Sequence, residues 1–188
     1  MAKNFDLTSN ASFIVYRIET LTKMKTSKKM ISNYIELEKK TGGFPTELEF
    51  VTCFYDEGTG SSGSLFKNTK LGNYILAYTG TNYYFDREKD LYADVVGVCL
   101  GQGEHYSPCC RFYKRMVKRY GDNIILTGHS LGGNIAMRVA LEYNVRETIV
   151  YNAAPLYLKG GVDIFMTADM DEVLYAERIA RYNRKIKK

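Results

Sequence analysis

Ile124-Ile125-Leu126 is a short apolar run that passes into Thr127 and Gly128, and beyond Ser130 the apolar positions change their spacing. Ile135, Ala136, Val139 and Ala140 recur at intervals of three and four, the period of a helix with one buried face. The pattern predicts a buried strand, a tight turn and a helix. Ser27 to Lys40 predicts another helix, with Met30, Ile31, Tyr34, Ile35, Leu37 and Glu38 at amphipathic spacing and Gly42-Gly43 as its stop. Glu47 to Tyr55 reads as a strand, Gly58 to Ser64 as a Gly/Ser loop, and Asn73 to Thr79 as a buried strand. Arg87 to Val98 and Tyr106 to Tyr120 read as helices, the second ended by Gly121. Thr148 to Asn152 and Val162 to Ala168 complete the predicted strands, and Asp171 to Ile186 is a basic amphipathic helix. Residues 1–26 alternate weakly and predict no firm element. Strands alternating with helices imply an α/β fold, a mostly parallel sheet with helices on both faces.

At 188 residues the chain fits one domain with a full core. The expected division is an N-terminal helical extension over 1–46, a core sheet over 47–173 and a basic C-terminal helix over 174–188. The net charge of +5 is concentrated in Lys23 to Lys29 and in Arg178, Arg181, Arg184, Lys185, Lys187 and Lys188. Solvated helix faces account for such runs. No base-reading module accompanies them, so nucleic acid is not an expected partner. The first residues have no apolar core of a secretory signal, and no run approaches the length of a membrane-spanning helix. Cys53, Cys99, Cys109 and Cys110 lack Cys-x-x-Cys spacing, and the chain has two histidines. The expectation is reduced thiols, a cytoplasmic location, and no metal or other cofactor.

Gly128-His129-Ser130-Leu131-Gly132 changes the picture, because it fits the pattern Gly-x-Ser-x-Gly. A serine that attacks a carbonyl gains from a sharp, strained turn between strand and helix. Residues two before and two after it must then be nearly free of side chain. Its hydroxyl projects above the sheet, and the next backbone N–H, from Leu131, is aimed at a developing oxyanion. Ser130 is therefore the candidate nucleophile. The inventory around it is incomplete. In the α/β-hydrolase order the triad runs serine, acid, histidine, yet both histidines, His105 and His129, precede Ser130. His129 adjoins the serine in the turn, where its side chain points away from the hydroxyl.

Ala77-Tyr78-Thr79-Gly80-Thr81, Asp90-Leu91 and Thr127 through Gly133 together resemble the class 3 (fungal-type) lipases. With Asn134 included, the last segment also resembles a bacterial lipase-like family. The resemblance covers roughly residues 73–173. It implies an α/β-hydrolase-like fold, an ester or lipid substrate, and a second oxyanion N–H from Thr81. Thr79 stands where the family usually has arginine, a departure that affects a structural ion pair rather than the chemistry. Asp90-Leu91 corresponds to scaffold above the sheet, and His105 to a histidine ahead of the helix under the turn, where a structural role is the expectation and a general base the alternative. Tyr151 through Pro155 resembles the strand that follows in the family. The acid is implied just after the next strand, at Asp171 within Asp171-Glu172-Val173, with Asp169 as the second choice. Exposed acids at a helix start, favoured by its dipole, give the same residues a purely structural role.

Three readings stay open. One is a serine esterase or lipase-like hydrolase whose base is His105, or comes from a second polypeptide or a C-terminal segment outside this sequence. Another is a catalytically incomplete module kept for binding or assembly. The third is an N-terminal fragment of a split lipase. For a lipase-like protein the basic stretches also admit contact with an anionic membrane surface.

Overall fold

A computed structural model describes residues 2–80, 105–154 and 156. The chain begins with helix α1 (Ala2–Lys23) and helix α2 (Lys28–Lys40), followed by strands β1 (Leu48–Tyr55), β2 (Ser62–Asn68) and β3 (Tyr74–Tyr78). Helix α3 (Tyr106–Tyr120), strand β4 (Ile124–His129), helix α4 (Leu131–Tyr143) and strand β5 (Thr148–Tyr151) complete the described elements. The helices expected over Arg87 to Val98 and Asp171 to Ile186, and the strand over Val162 to Ala168, lie outside the described residues.

The five strands form one sheet in the order β1-β2-β3-β4-β5. β2 pairs antiparallel with both neighbours, while β3, β4 and β5 pair in parallel. Four strands therefore run one way and β2 alone runs against them, so the sheet is mixed and mostly parallel. Side chains alternate across it, as the strand period requires. Ile75, Ala77 and Ile125 enter a core with Ile14, Val15, Ile18, Ile31 and Ile35 of α1 and α2. Leu76, Tyr78, Ile124 and Leu126 enter a second core with Phe112, Met116, Ile135 and Val139 of α3 and α4. Helices thus cover both faces in an α/β-hydrolase-like arrangement.

Two elements differ from the sequence pattern. Residues 1–26 contain α1, a helix of 22 residues. Its buried face mixes Ala11, Ile14, Val15 and Ile18 with Thr8, Ser12 and Glu19, while Phe13 faces solvent. No clean apolar stripe announces it. Ser62, Gly63 and Ser64, read as loop, are the first residues of β2. Small residues are needed there: a Cβ on Gly63 would sit 2.9 Å from the Ala77 carbonyl oxygen and 3.1 Å from the Phe54 and Tyr78 rings.

Burial pushes the Cys109 thiol and the Tyr78 phenol well above their ordinary ranges. The Tyr78 hydroxyl donates to the Cys109 carbonyl at 3.2 Å, inside the α3 core. Both groups keep their protons in the folded state, whereas the unfolded chain releases them near pH 8.5 and about 10. Above those values the unfolded state binds fewer protons, so stability falls as pH rises. Each group is expected to cost about 1.4 kcal/mol per pH unit beyond its unfolded value. Denaturant titrations below and above the thiol range measure this, and equal midpoints would contradict it.

Candidate active site

β1, β3, β4 and β5 all end on the same edge of the sheet, the edge where open α/β sheets build their sites. Ser130 lies there, between the last residue of β4 and the first of α4. Its backbone has φ 55° and ψ −124°, a region that a residue with a Cβ enters only under strain. The surroundings hold it in place. Its N–H donates to the Tyr151 carbonyl at 3.1 Å, and its own carbonyl accepts from Gly133, Asn134 and Ala154 at 3.1, 3.2 and 2.9 Å.

The glycines follow from this packing. A Cβ on Gly128 would run into the Gly132 carbonyl group, and one on Gly132 would run into the Tyr78 carbonyl oxygen. A Cβ on Gly133 would lie 2.7 Å from the Ala153 Cβ. A Cβ on Gly80 would lie 2.6 Å from the His129 carbonyl oxygen and 3.3 Å from the Gly132 nitrogen. The ends of β3, β4 and β5 therefore meet backbone to backbone around Ser130. Leu131 opens α4, and the N–H of a first helical residue has no acceptor within its helix.

Of the remaining candidates, Thr81, Asp90, Leu91, Asp169 and Asp171 lie outside the described residues. Gly80, directly before Thr81, touches the turn as described above. Thr79, at the position where the resembled lipases carry arginine, is buried, and its hydroxyl has no hydrogen-bond partner among the described residues. His105 is half-buried at the start of α3, and its carbonyl accepts from the Ser61 hydroxyl at 3.0 Å. The next residue, Tyr106, donates through its hydroxyl to Asn134 Oδ1 at 2.6 Å, one turn into the helix that follows Ser130. The start of α3 is thereby fastened beside the turn.

Sequence reasoning missed Tyr16 of α1. Its hydroxyl lies 3.2 Å from His129 Nδ1 and donates to the His129 carbonyl at 3.4 Å. The His129 ring faces α1 at the near end of a row in which Ser12 meets Thr127 and Thr8 meets Tyr151, each at 2.7 Å. These residues fall at i, i+4 and i+8 of α1, a spacing visible in the sequence whose polar character disguised it. Tyr16→Phe is expected to lower stability by about 1 kcal/mol. The loss should shrink when His129 is already alanine, which a double-mutant cycle by thermal denaturation reads directly.

Among the described residues no three His, Cys, Asp or Glu side chains gather as a metal site would need, and no helix is long and apolar enough to cross a membrane. Cys53, Cys109 and Cys110 are unpaired.

Several known proteins are similar to this chain. An extracellular phospholipase A1 of Serratia liquefaciens is 30% identical over 105 residues, covering 53% of this chain and 29% of that protein. The chain thus spans under a third of that relative's length. A lipase from Rhizopus microsporus var. chinensis aligns in structure with TM-score 0.48 and 16% identity, covering 79% of this chain and 55% of that one. Lipase II from Rhizopus niveus aligns with TM-score 0.46 and 14% identity, covering 79% and 60%. The family model described as a Tle-like phospholipase domain matches residues 46–160, from just ahead of β1 to beyond β5. With more than half of its residues in that match, the chain belongs to the Tle-like phospholipase family.

Proposed function

We propose that the protein is a lipolytic carboxylic-ester hydrolase in which Ser130 is the nucleophile. The observation that carries this reading is the strained Ser130 backbone between β4 and α4, held by contacts from three strand ends. Strain of about 1–3 kcal/mol at an isolated polar residue is the usual mark of a functional position. A hydroxyl there would attack the ester carbonyl, and the Leu131 N–H would stabilise the oxyanion. Thr81 would supply a second N–H, which Gly80 against the turn supports. Asp171, with Asp169 as the alternative, would orient the base.

The base is His105 in this reading. Its neighbour Tyr106 is tied to Asn134, whereas the His129 ring is bonded toward α1 on the other face of the sheet. A second reading supplies the base from outside this sequence, because the chain spans 29% of its phospholipase relative. A phospholipid or a similar acyl ester is the proposed substrate, in keeping with the family. For location we keep the cytoplasm, since three unpaired thiols suit a reducing compartment, although the named relative is extracellular.

The test is fluorophosphonate labelling together with hydrolysis of short p-nitrophenyl esters. Labelling should be present in the native chain and absent in Ser130→Ala. Turnover and labelling both lost in a folded His105→Ala chain assign the base to His105, and low turnover in the native chain assigns it elsewhere. Turnover or label that survives in Ser130→Ala would overturn Ser130 as nucleophile.

A further inference from the structure

Helix α3 has a face that the proposed chemistry does not use. Arg111, Lys114, Arg115, Lys118 and Arg119 are all exposed, at positions i, i+3, i+4, i+7 and i+8. That spacing sets five cations along one stripe about 12 Å long, and α3 contains no acidic residue. None of the four ion pairs among the described residues involves them. Glu142 of α4, which packs on α3, is instead engaged by the Tyr143 hydroxyl at 2.8 Å and the Cys110 thiol at 3.6 Å. Lys114 lies over the Tyr143 ring, Arg115 over Phe112 and Arg119 over Tyr120. Such contacts orient the cations without neutralising them.

Five like charges on one face repel one another, and a polyanionic surface would relieve that repulsion. The opposite face of α3 packs in the core through Cys109, Phe112, Tyr113 and Met116. The rings beneath the cations are therefore partly or wholly covered. They offer no platform for stacking bases, which sets the stripe apart from a single-strand nucleic-acid groove. The stripe also begins close to the candidate site, since Tyr106 at the head of α3 is bonded to Asn134.

We propose that this face of α3 docks the protein on bilayers containing anionic phospholipid, bringing the Ser130 edge of the sheet to its substrate. The choice of a lipid surface as the polyanion rests on the lipolytic reading above. Each cation near an anionic leaflet strengthens binding about fivefold, and the effect is screened by salt.

The experiment is co-sedimentation of the full chain carrying Ser130→Ala with two kinds of vesicle, one of phosphatidylcholine alone and one of phosphatidylcholine mixed with phosphatidylglycerol. Binding should favour the anionic vesicles, weaken as salt rises, and fall at least tenfold when Lys114→Glu and Lys118→Glu are combined. The milder Lys114→Gln and Lys118→Gln pair, checked for folding by circular dichroism, should show a smaller loss in the same direction. Binding unchanged by either pair, equal on both vesicles, or displaced in favour of duplex DNA would overturn the proposal. Hydrolysis of a soluble short ester, measured with Ser130 intact, should not change in the charge variants. That assay tests the lipolytic reading separately, because vesicle binding needs no turnover.

Discussion

Gly132→Ala is expected to destabilise the protein by at least about 3 kcal/mol, the upper end of what overpacking costs. The added methyl group would be driven into the Tyr78 carbonyl oxygen and would lie 2.9 Å from the Gly80 nitrogen and the Thr79 carbonyl carbon. All three atoms are backbone at the end of β3, so no side-chain rotation makes room. β3 is central to the sheet, paired to β2 on one side and β4 on the other, and it cannot move away without breaking a ladder. Against a total stability of about 5–15 kcal/mol, a loss of this size is a large fraction. Gly58→Ala supplies the contrast. Its nearest neighbour would be an Asp56 carboxylate oxygen at 3.7 Å, an ordinary contact, so its effect should stay within about 0.5 kcal/mol. Chemical denaturation of both variants measures the difference, and equal midpoints would mean that the turn tolerates far more movement than its packing implies.

The same contacts explain why the turn was legible in the sequence. Gly128 and Gly132 are both dictated by backbone approach, and backbone approach leaves a residue-type signature that no other pressure mimics here. The strand before it and the helix after it announced themselves through apolar runs of the right period. β1, β3 and β5 were legible within one or two residues, as were α2 and α3. α1 was not, and the reason is chemical. Its contacts to β4 and β5 run through hydroxyl pairs such as Ser12 with Thr127 and Thr8 with Tyr151. A hydroxyl row buries as well as a leucine row once every group is bonded, but it does not register as hydrophobic periodicity. β2 escaped for a related reason, since Ser62, Gly63 and Ser64 carry turn-like composition yet are buried against larger neighbours. At the site, the sequence led to a His129 ring pointing away from Ser130, but nothing in it pointed to Tyr16 as the group that ring meets. The tie between Tyr106 and Asn134 was equally invisible, because the two residues lie 28 positions apart and neither belongs to a shared motif.

Ser130 itself should separate stability from activity. Ser130→Gly and Ser130→Ala both remove the hydroxyl, so each should abolish fluorophosphonate labelling and reduce ester turnover to what the oxyanion donors and substrate binding alone sustain. Their stabilities should diverge. At φ 55° and ψ −124° the Cβ of serine or alanine is strained, and the strain of about 1–3 kcal/mol is relieved only by glycine. Glycine also gives up about 0.4–1 kcal/mol through the greater freedom of the unfolded chain. Relief exceeds that loss, so Ser130→Gly should be more stable than Ser130→Ala by about 1 kcal/mol and no less stable than the native protein. A thermal melt of the three chains reads the order directly. If Ser130→Ala equalled or exceeded Ser130→Gly, the backbone at this turn would not be strained. Ser130 would then lose the observation that marks it as the nucleophile. If the expected order is found together with loss of labelling, the protein holds a serine in a conformation that costs stability and returns reactivity.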